Sequence, residues 1–206
     1  MLKKLTQSQQ DTILERAVEE FGRNGLERAA ISEIARRSGI SVGVIYKYYE
    51  NKDALFEACL KRSLEMLKDV LDQAVLGEED LLTACEKLIR ACISFARDHS
   101  PYIQMYNALT IRSDEEAAHY ANEIEKLTSD TYKRLIAQAV EEGLVRKDLD
   151  PSYFAFFFDN LLMMLHFTYS CRYYEERMKI YLGPEDEEKM VRQLMLFIRG
   201  AFTAED

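Results

Sequence analysis

Three prolines and eight glycines are the only strong helix breakers in 206 residues, and this scarcity constrains the fold more than any other feature. Both residue types interrupt helices, so a chain this poor in them is biased toward long helical segments. The few breaks also have helix-end chemistry. Asn24 and Gly25 read as a C-terminal stop, Gly39 as a left-handed turn, and Ser100-Pro101, Asp150-Pro151 and Gly183-Pro184 as a cap followed by proline. Between them, apolar residues recur at helical spacing, as in Ile13, Leu14, Ala17, Val18 and Phe21. The pattern predicts helices over 9–24 (capped by Ser8), 31–38, 42–48 (capped by Ser41), 52–75 (capped by Asn51), 79–99, 101–112, 114–143, 151–177 and 184–203. No strand-like alternation of useful length competes. The expected fold is all-α, with about nine helices.

No continuous apolar run is long enough to span a bilayer; the most apolar segment, 153–165, contains Asp159 and Asn160. The lysines of the N-terminus are not followed by the apolar stretch of a secretory signal. A cytoplasmic protein is expected. Cys59, Cys85, Cys92 and Cys171 form no C-x-x-C pair, so they read as small core residues rather than zinc ligands or a redox pair.

The net charge of −9 argues against a nucleic-acid partner until the chain is divided. Residues 1–52 carry nine Lys/Arg against seven Asp/Glu, and residues 53–206 carry eighteen against twenty-nine. A mildly basic head on an acidic body can meet a polyanion head first.

The stretch "SGISVGVIYKYYENKDAL", residues 38–55, carries the functional signal. Two short helices joined by Ser-Gly-Ile-Ser form a helix-turn-helix pattern, whose second helix enters the major groove. Tyr46, Lys47 and Tyr48 then face duplex DNA, tyrosine hydroxyls and the lysine charge meeting phosphates. Gly43 leaves room for close approach. Lys52, in the first turn of the following helix, is a cation at the positive helix end, a placement that favours a phosphate held there by Lys and backbone amides together.

The segment "AISEIARRSGISVGVIYKYYENKDALF", with the preceding "AVEEFGRNGLERA", resembles the DNA-binding head of the tetracycline-repressor (TetR) family over about residues 9–60. The resemblance implies a three-helix DNA-binding domain at 1–51 and a ligand-binding and dimerisation domain at 52–206. It places Val42, Gly43, Tyr46 and Lys47 near base edges. Ser32, Ser41, Tyr48 and Lys52 would touch phosphates, with Arg36 and Arg37 as further phosphate contacts, and Ile45 and Tyr49 would be core. Ala30 departs from the family's usual Thr, so the cap of the second helix is lost or passes to a neighbour. Val42 and Val44 replace residues that are commonly polar or small. A valine can pack on a thymine methyl but cannot hydrogen-bond a base, which bears on sequence discrimination.

For the body, the resemblance implies a homodimer through the last two helices, the apolar 151–177 segment and a stripe of Met190, Val191, Leu194, Phe197, Ile198 and Phe202. A twofold protein suits a pseudo-palindromic operator in double-stranded DNA, with heads about 34–36 Å apart. A small-molecule effector, lipophilic or aromatic, is expected between the middle helices. Candidate ligand-binding residues there are Tyr102, Tyr106, Tyr120, Phe158, Asp159 and His166, with Phe154 and Tyr169 nearby in the pattern. The effector would tilt the fourth helix and release DNA, as a repressor does. No cofactor or metal is implied. Two rival readings remain: a helical protein-interaction adaptor, and an all-α metal enzyme built on Glu116-x-x-His119. The latter lacks the second such motif that a di-metal bundle needs.

Overall fold

The computed structural model describes residues 5–75, 80–111 and 115–202, without the side chains of 116 and 117. These residues form ten helices and no strand: α1 Gln7–Arg28, α2 Ile31–Arg37, α3 Val42–Tyr48, α4 Lys52–Val75, α5 Leu81–Asp98, α6 Ser100–Thr110, α7 Glu115–Glu141, α8 Pro151–Ser170, α9 Arg172–Leu182 and α10 Glu187–Phe202. The chain divides into two compact units, Met1–Met66 with Pro101–Ala117, and Leu67–Ser100 with Ala118–Asp206. The first therefore contains the 1–51 segment, the first part of α4 and nearly all of α6.

The first unit is built on α1. Thr6, not Ser8, is its cap. The Thr6 side chain accepts from the Gln9 amide while the Gln9 side chain accepts from the Thr6 amide. This reciprocal box satisfies two end donors where Ser8 alone would satisfy one, so Ser8 lies inside the helix. Gly25, at φ 69°, breaks regular geometry at the predicted stop, and the chain then resumes helical form to Arg28. Ile13, Ala17, Val18 and Phe21 of α1 are buried with Ile34 and Ala35 of α2, Ile45 of α3, and Leu55, Phe56 and Cys59 of α4. Phe21 meets Phe56 edge to face at 5.1 Å between centroids, a geometry worth about 1 kcal/mol beyond burial. α6 lies hard against α1: a Cβ placed on Gly22 would sit 2.8 Å from the Pro101 carbonyl oxygen.

Arg62 links the same helices electrostatically. Its guanidinium donates to Asp11 at 2.8 Å, Glu15 at 2.9 Å and the Tyr102 hydroxyl at 2.9 Å. The Tyr102 hydroxyl in turn donates to Glu15 at 2.8 Å. One side chain thus joins α1, α4 and α6.

The second unit has a core of Leu81, Cys85, Leu88, Ile89, Cys92 and Ile93 on α5, Tyr132, Ile136 and Ala139 on α7, Ala155, Phe158, Leu162 and Leu165 on α8, and Val191, Ile198 and Phe202 on α10. Asp80 caps α5, accepting from Thr83 N–H at 2.9 Å. Asp150 caps α8, with Pro151 in its first turn. Two boundaries differ from those expected. The single 151–177 helix is two, because Cys171 adopts an extended conformation (φ −122°, ψ 121°). That break accounts for ten helices rather than nine. The last helix begins at Glu187, not Pro184: Asp186 accepts from the Lys189 amide at 2.9 Å and so supplies the cap. The expected end positions Glu79, Arg112, Asp114 and Thr203 lie outside the described residues.

Candidate nucleic-acid interface and effector region

The helix-turn-helix segment is held from behind. Gly39, at φ 69°, makes the turn between α2 and α3, and the Ile40 amide closes on the Ala35 carbonyl at 3.1 Å. Ile45 is fully buried while Val42, Tyr46 and Lys47 are exposed, Tyr46 at 47%. A helix of seven residues with one buried anchor turns its remaining faces outward. Ser41 occupies the cap position of α3, but its side chain makes no capping hydrogen bond and is exposed. A Cβ on Gly43 would have only the Ser41 hydroxyl nearby, at 4.0 Å, so the space beside the helix start is open. Ser32 and Arg36 are exposed on α2, Arg36 forming a bidentate pair with Glu33 at 2.5 and 2.8 Å. That pairing raises the arginine pKa and lowers that of Glu33.

Three residues expected at phosphates also have partners inside the head. The Tyr48 hydroxyl accepts from the Leu5 amide at 2.6 Å, tying the N-terminal arm to α3; its own proton is still available to an acceptor. Lys52 donates to the Glu27 carbonyl at 2.8 Å, a backbone acceptor that offsets the unfavourable helix end. Arg37 pairs with Glu19 of α1, and Glu19 also holds Arg16 at 2.6 Å. Tyr49 is half-buried, and burial raises its pKa.

Two residues that the sequence reading passed over position this motif. Glu20 is buried and accepts from Asn24 at 2.8 Å and from the Ala30 amide at 3.1 Å. With Ala30 offering no side-chain cap to α2, a carboxylate from α1 serves the start of that helix. Glu19 does the same for its far end through Arg37. A signal existed: an acid at position 20, beside Ala17 and Phe21 on the apolar face, must find a partner.

The effector candidates separate. Tyr102 and Tyr106 belong to the first unit, Tyr102 being buried in the Arg62 cluster. Tyr120, Phe158, Asp159 and His166 belong to the second. Phe158 packs edge to face on Tyr132 at 5.3 Å. Asp159, beside it, is largely desolvated: burial raises its carboxyl pKa to about 6, Glu125 adds to this, and a Thr128 hydrogen bond opposes it. His166 keeps a small accessible surface, yet burial lowers its pKa to about 4, so the ring is neutral. Cys92 donates to the Leu162 carbonyl at 3.2 Å, and burial pushes its thiol up. Beside this region an open groove of about 420 Å³ runs between α4 and α5, with Gln73, Lys87, Arg90, Phe95, Asp98 and His99 in its walls.

Among the described residues no group of three or more His, Cys, Asp or Glu is placed to hold a metal ion, and no helix is long and apolar enough to cross a membrane. His119 faces Glu123 at 3.7 Å, and the Glu116 side chain lies outside the described residues.

Comparison with known proteins adds the following. Residues 13–59 match the family described as bacterial regulatory proteins, tetR family. The HTH-type transcriptional regulator YvdT of Bacillus subtilis is 28% identical over 150 residues, covering 70% of this chain and 76% of that protein. The fatty acid metabolism regulator protein of Bacillus subtilis is 25% identical over 143 residues, covering 67% and 71%. The crystal structure of the transcriptional regulator FadR from Bacillus subtilis in complex with stearoyl-CoA superimposes with a TM-score of 0.75 at 16% identity, over 92% of this chain and 97% of that one.

Proposed function

We propose that this chain, whose residues 13–59 match the tetR family of bacterial regulatory proteins, is a ligand-responsive repressor of that family, dimeric on a pseudo-palindromic operator and released by a long-chain acyl-coenzyme A. The observation that carries the DNA reading is α3 itself. Ile45 is sunk in the head while Val42, Tyr46 and Lys47 stand clear of it, the disposition of a helix that enters a major groove. Ser32, Arg36, Ser41, Gly43, Tyr48 and Lys52 surround it, with Arg36, Lys47 and Lys52 supplying positive charge for phosphates. Charge is concentrated where it is needed, since the rest of the chain is acidic.

Dimerisation is assigned to α8 and α10. Tyr153, Phe156, Phe157 and Met164 of α8, with Leu196 and Phe197 of α10, are large apolar residues left exposed in the single chain. An apolar surface of this extent marks a protein interface. Two helices presented twice across a twofold axis give a four-helix contact.

The effector class rests on the relatives. One of them is a fatty acid metabolism regulator and a structural neighbour holds stearoyl-CoA, and the second unit's interior is apolar. Phe158, Asp159 and His166, with Tyr120, are the proposed lining. An effector shifts operator occupancy only through its difference in affinity for the two states. Fluorescence anisotropy of a labelled duplex from upstream of the protein's own gene, titrated with and without stearoyl-CoA, tests the whole reading. Salt-sensitive binding reversed by the thioester supports it, and binding that ignores the thioester removes the effector assignment.

A further inference from the structure

Leu5 is the first described residue, and the first unit holds it on both sides of its backbone. Its amide donates to the Tyr48 hydroxyl of α3 at 2.6 Å, and its carbonyl accepts from the Gln10 side chain at 3.4 Å. Thr6, next in the chain, is locked in the reciprocal box with Gln9. The N-terminal arm therefore enters α1 from beside the C-terminal end of α3, forty-three positions away in sequence.

Lys3 and Lys4 come directly before Leu5 in the sequence. Fixing Leu5 fixes the point from which both charges start, since consecutive Cα atoms are only ~3.8 Å apart. These two lysines are the whole positive excess of the head. Residues 1–52 carry nine Lys/Arg against seven Asp/Glu, and residues 5–52 carry seven against seven. Among the remaining cations, Arg16 and Arg37 share Glu19, Arg36 is held by Glu33, and Lys52 donates to the Glu27 carbonyl. A cation matched by a carboxylate adds little net attraction for a polyanion. The acids of α1 nearest the arm in sequence, Asp11 and Glu15, are engaged by Arg62.

The Tyr48 hydroxyl completes the arrangement. It accepts the Leu5 amide on one side, and among the described residues its proton meets no acceptor. Accepting that bond leaves fewer directions for the proton and polarises the O–H into a stronger donor. Tyr48 shares its seven-residue helix with Tyr46 and Lys47, which stand exposed.

We propose that the N-terminal arm is part of the duplex-binding surface: the Leu5 amide positions the Tyr48 hydroxyl to donate to a DNA phosphate, and the same bond anchors Lys3 and Lys4 to neutralise neighbouring phosphates. This rests on the reading of α3 as the duplex-contacting helix and adds to it a second contact that is independent of base sequence.

The test is fluorescence anisotropy of the full chain with two labelled probes, a duplex from upstream of the protein's own gene and a mixed-sequence duplex, at several salt concentrations. Lys3→Ala with Lys4→Ala is expected to lower the salt slope by about 2 on both duplexes, the loss of two phosphate contacts, and to leave the melting temperature unchanged. Tyr48→Phe, which keeps the ring, is expected to weaken binding about tenfold, the worth of one charge-assisted hydrogen bond. Leu5→Pro removes the amide donor and keeps the hydroxyl, and is expected to weaken binding about threefold or more. In either background the lysine substitutions then cost about twofold or less, against about tenfold in the wild type. Circular dichroism melts confirm that each variant is folded, and Leu5→Pro carries the cycle should Tyr48→Phe fail to fold. An unchanged salt slope after loss of both lysines overturns the arm contact and leaves the α3 reading intact. A tenfold cost of the lysine pair kept in folded Tyr48→Phe or Leu5→Pro overturns the anchoring. Absence of wild-type binding to either duplex removes the α3 reading and this contact with it.

Discussion

The Arg62 guanidinium of α4 donates to the Tyr102 hydroxyl of α6 at 2.9 Å. These residues are forty positions apart, and α6 belongs to the same compact unit as α1, α2 and α3. Arg62 also holds Asp11 and Glu15 of α1, and its partners raise its pKa against the opposing effect of burial. Tyr102→Phe removes two charge-assisted hydrogen bonds, the one accepted from Arg62 and the one donated to Glu15, and lowers unfolding stability by about 1–3 kcal/mol. Arg62→Ala costs about 1–3 kcal/mol, less than a fully buried pair would, because Asp11 and Glu15 are partly exposed. Urea titration followed by circular dichroism measures both.

Gly22→Ala tests the close approach of α1 and α6. Its new methyl would sit 2.8 Å from the Pro101 carbonyl oxygen and 3.2 Å from the Met105 nitrogen. Backbone atoms cannot swing aside as a side-chain tip can, so the helices must separate. The expected loss is about 1–3 kcal/mol, against the gain of about 1 kcal/mol that alanine brings to an unhindered helix. A stabilised Gly22→Ala protein would show that the two helices are not in contact.

On α3, Lys47→Ala and Tyr46→Phe are expected to weaken operator binding by about 1–3 kcal/mol each and to change preference among sequences. Lys52→Ala is expected to weaken all duplexes alike and to lower the salt slope by about 1. Lys52 also loses its bond to the Glu27 carbonyl, so its melting temperature falls slightly as well. Anisotropy titrations at several salt concentrations separate the two classes.

Asp159 and His166 give opposite pH responses. Asp159 titrates near 6 when folded, against 3.8 as a free group. The folded state therefore binds the extra proton between these values, and stability is lost as pH rises from about 4 through 6. His166 titrates near 4 when folded, against 6.5. There the unfolded chain binds the extra proton, so stability is full above 6.5 and lost as pH falls toward 4. Asp159→Asn is expected to gain up to about 3 kcal/mol at pH 7.5 and nothing below pH 4. His166→Gln is expected to flatten the loss between pH 6.5 and 4. Unfolding titrations across pH 4–8 show whether the two slopes have opposite sign.

The double substitution Phe156→Glu with Phe197→Glu places charges on the apolar face of α8 and α10. Both side chains are about two-thirds exposed in the single chain, at 64% and 66%, so the fold is expected to survive. Sedimentation equilibrium is expected to show a monomer, and operator affinity to fall by more than about tenfold as the second half-site contact is lost. A dimer that persists would move the interface elsewhere.

Much of the fold was legible because its ends carry their own chemistry. Gly39 makes the turn before α3 and Asn51 caps α4, and α3 at Val42–Tyr48 and α4 from Lys52 have the ranges read from the sequence, although the Ser41 side chain makes no cap. The break at Cys171 was not legible, since no glycine or proline marks it and the apolar pattern runs through; tertiary packing overrides local preference there. The start of α10 was misplaced because Gly183-Pro184 looks like a helix start, while Asp186 supplies the cap. At the site, exposure of Tyr46 and Lys47 follows from Ile45 being the one core position of a seven-residue helix. The Glu20 contact to Ala30 and the Arg37 contact to Glu19 span ten and eighteen positions, and spacing along one helix says nothing about them. Tyr102 is one of the aromatic effector candidates, and its bonds to Arg62 and Glu15 are likewise not readable from spacing.

The account turns on α3 reading double-stranded DNA, and selection from a randomised duplex pool with the purified full chain tests that most directly. The expected product is an inverted repeat with half-site centres about 10 base pairs, one helical turn, apart, whose binding weakens steeply with salt and is abolished by Tyr46→Ala with Lys47→Ala. Recovery of no enriched sequence, or of one that the doubly substituted protein binds as well as wild type, would contradict it.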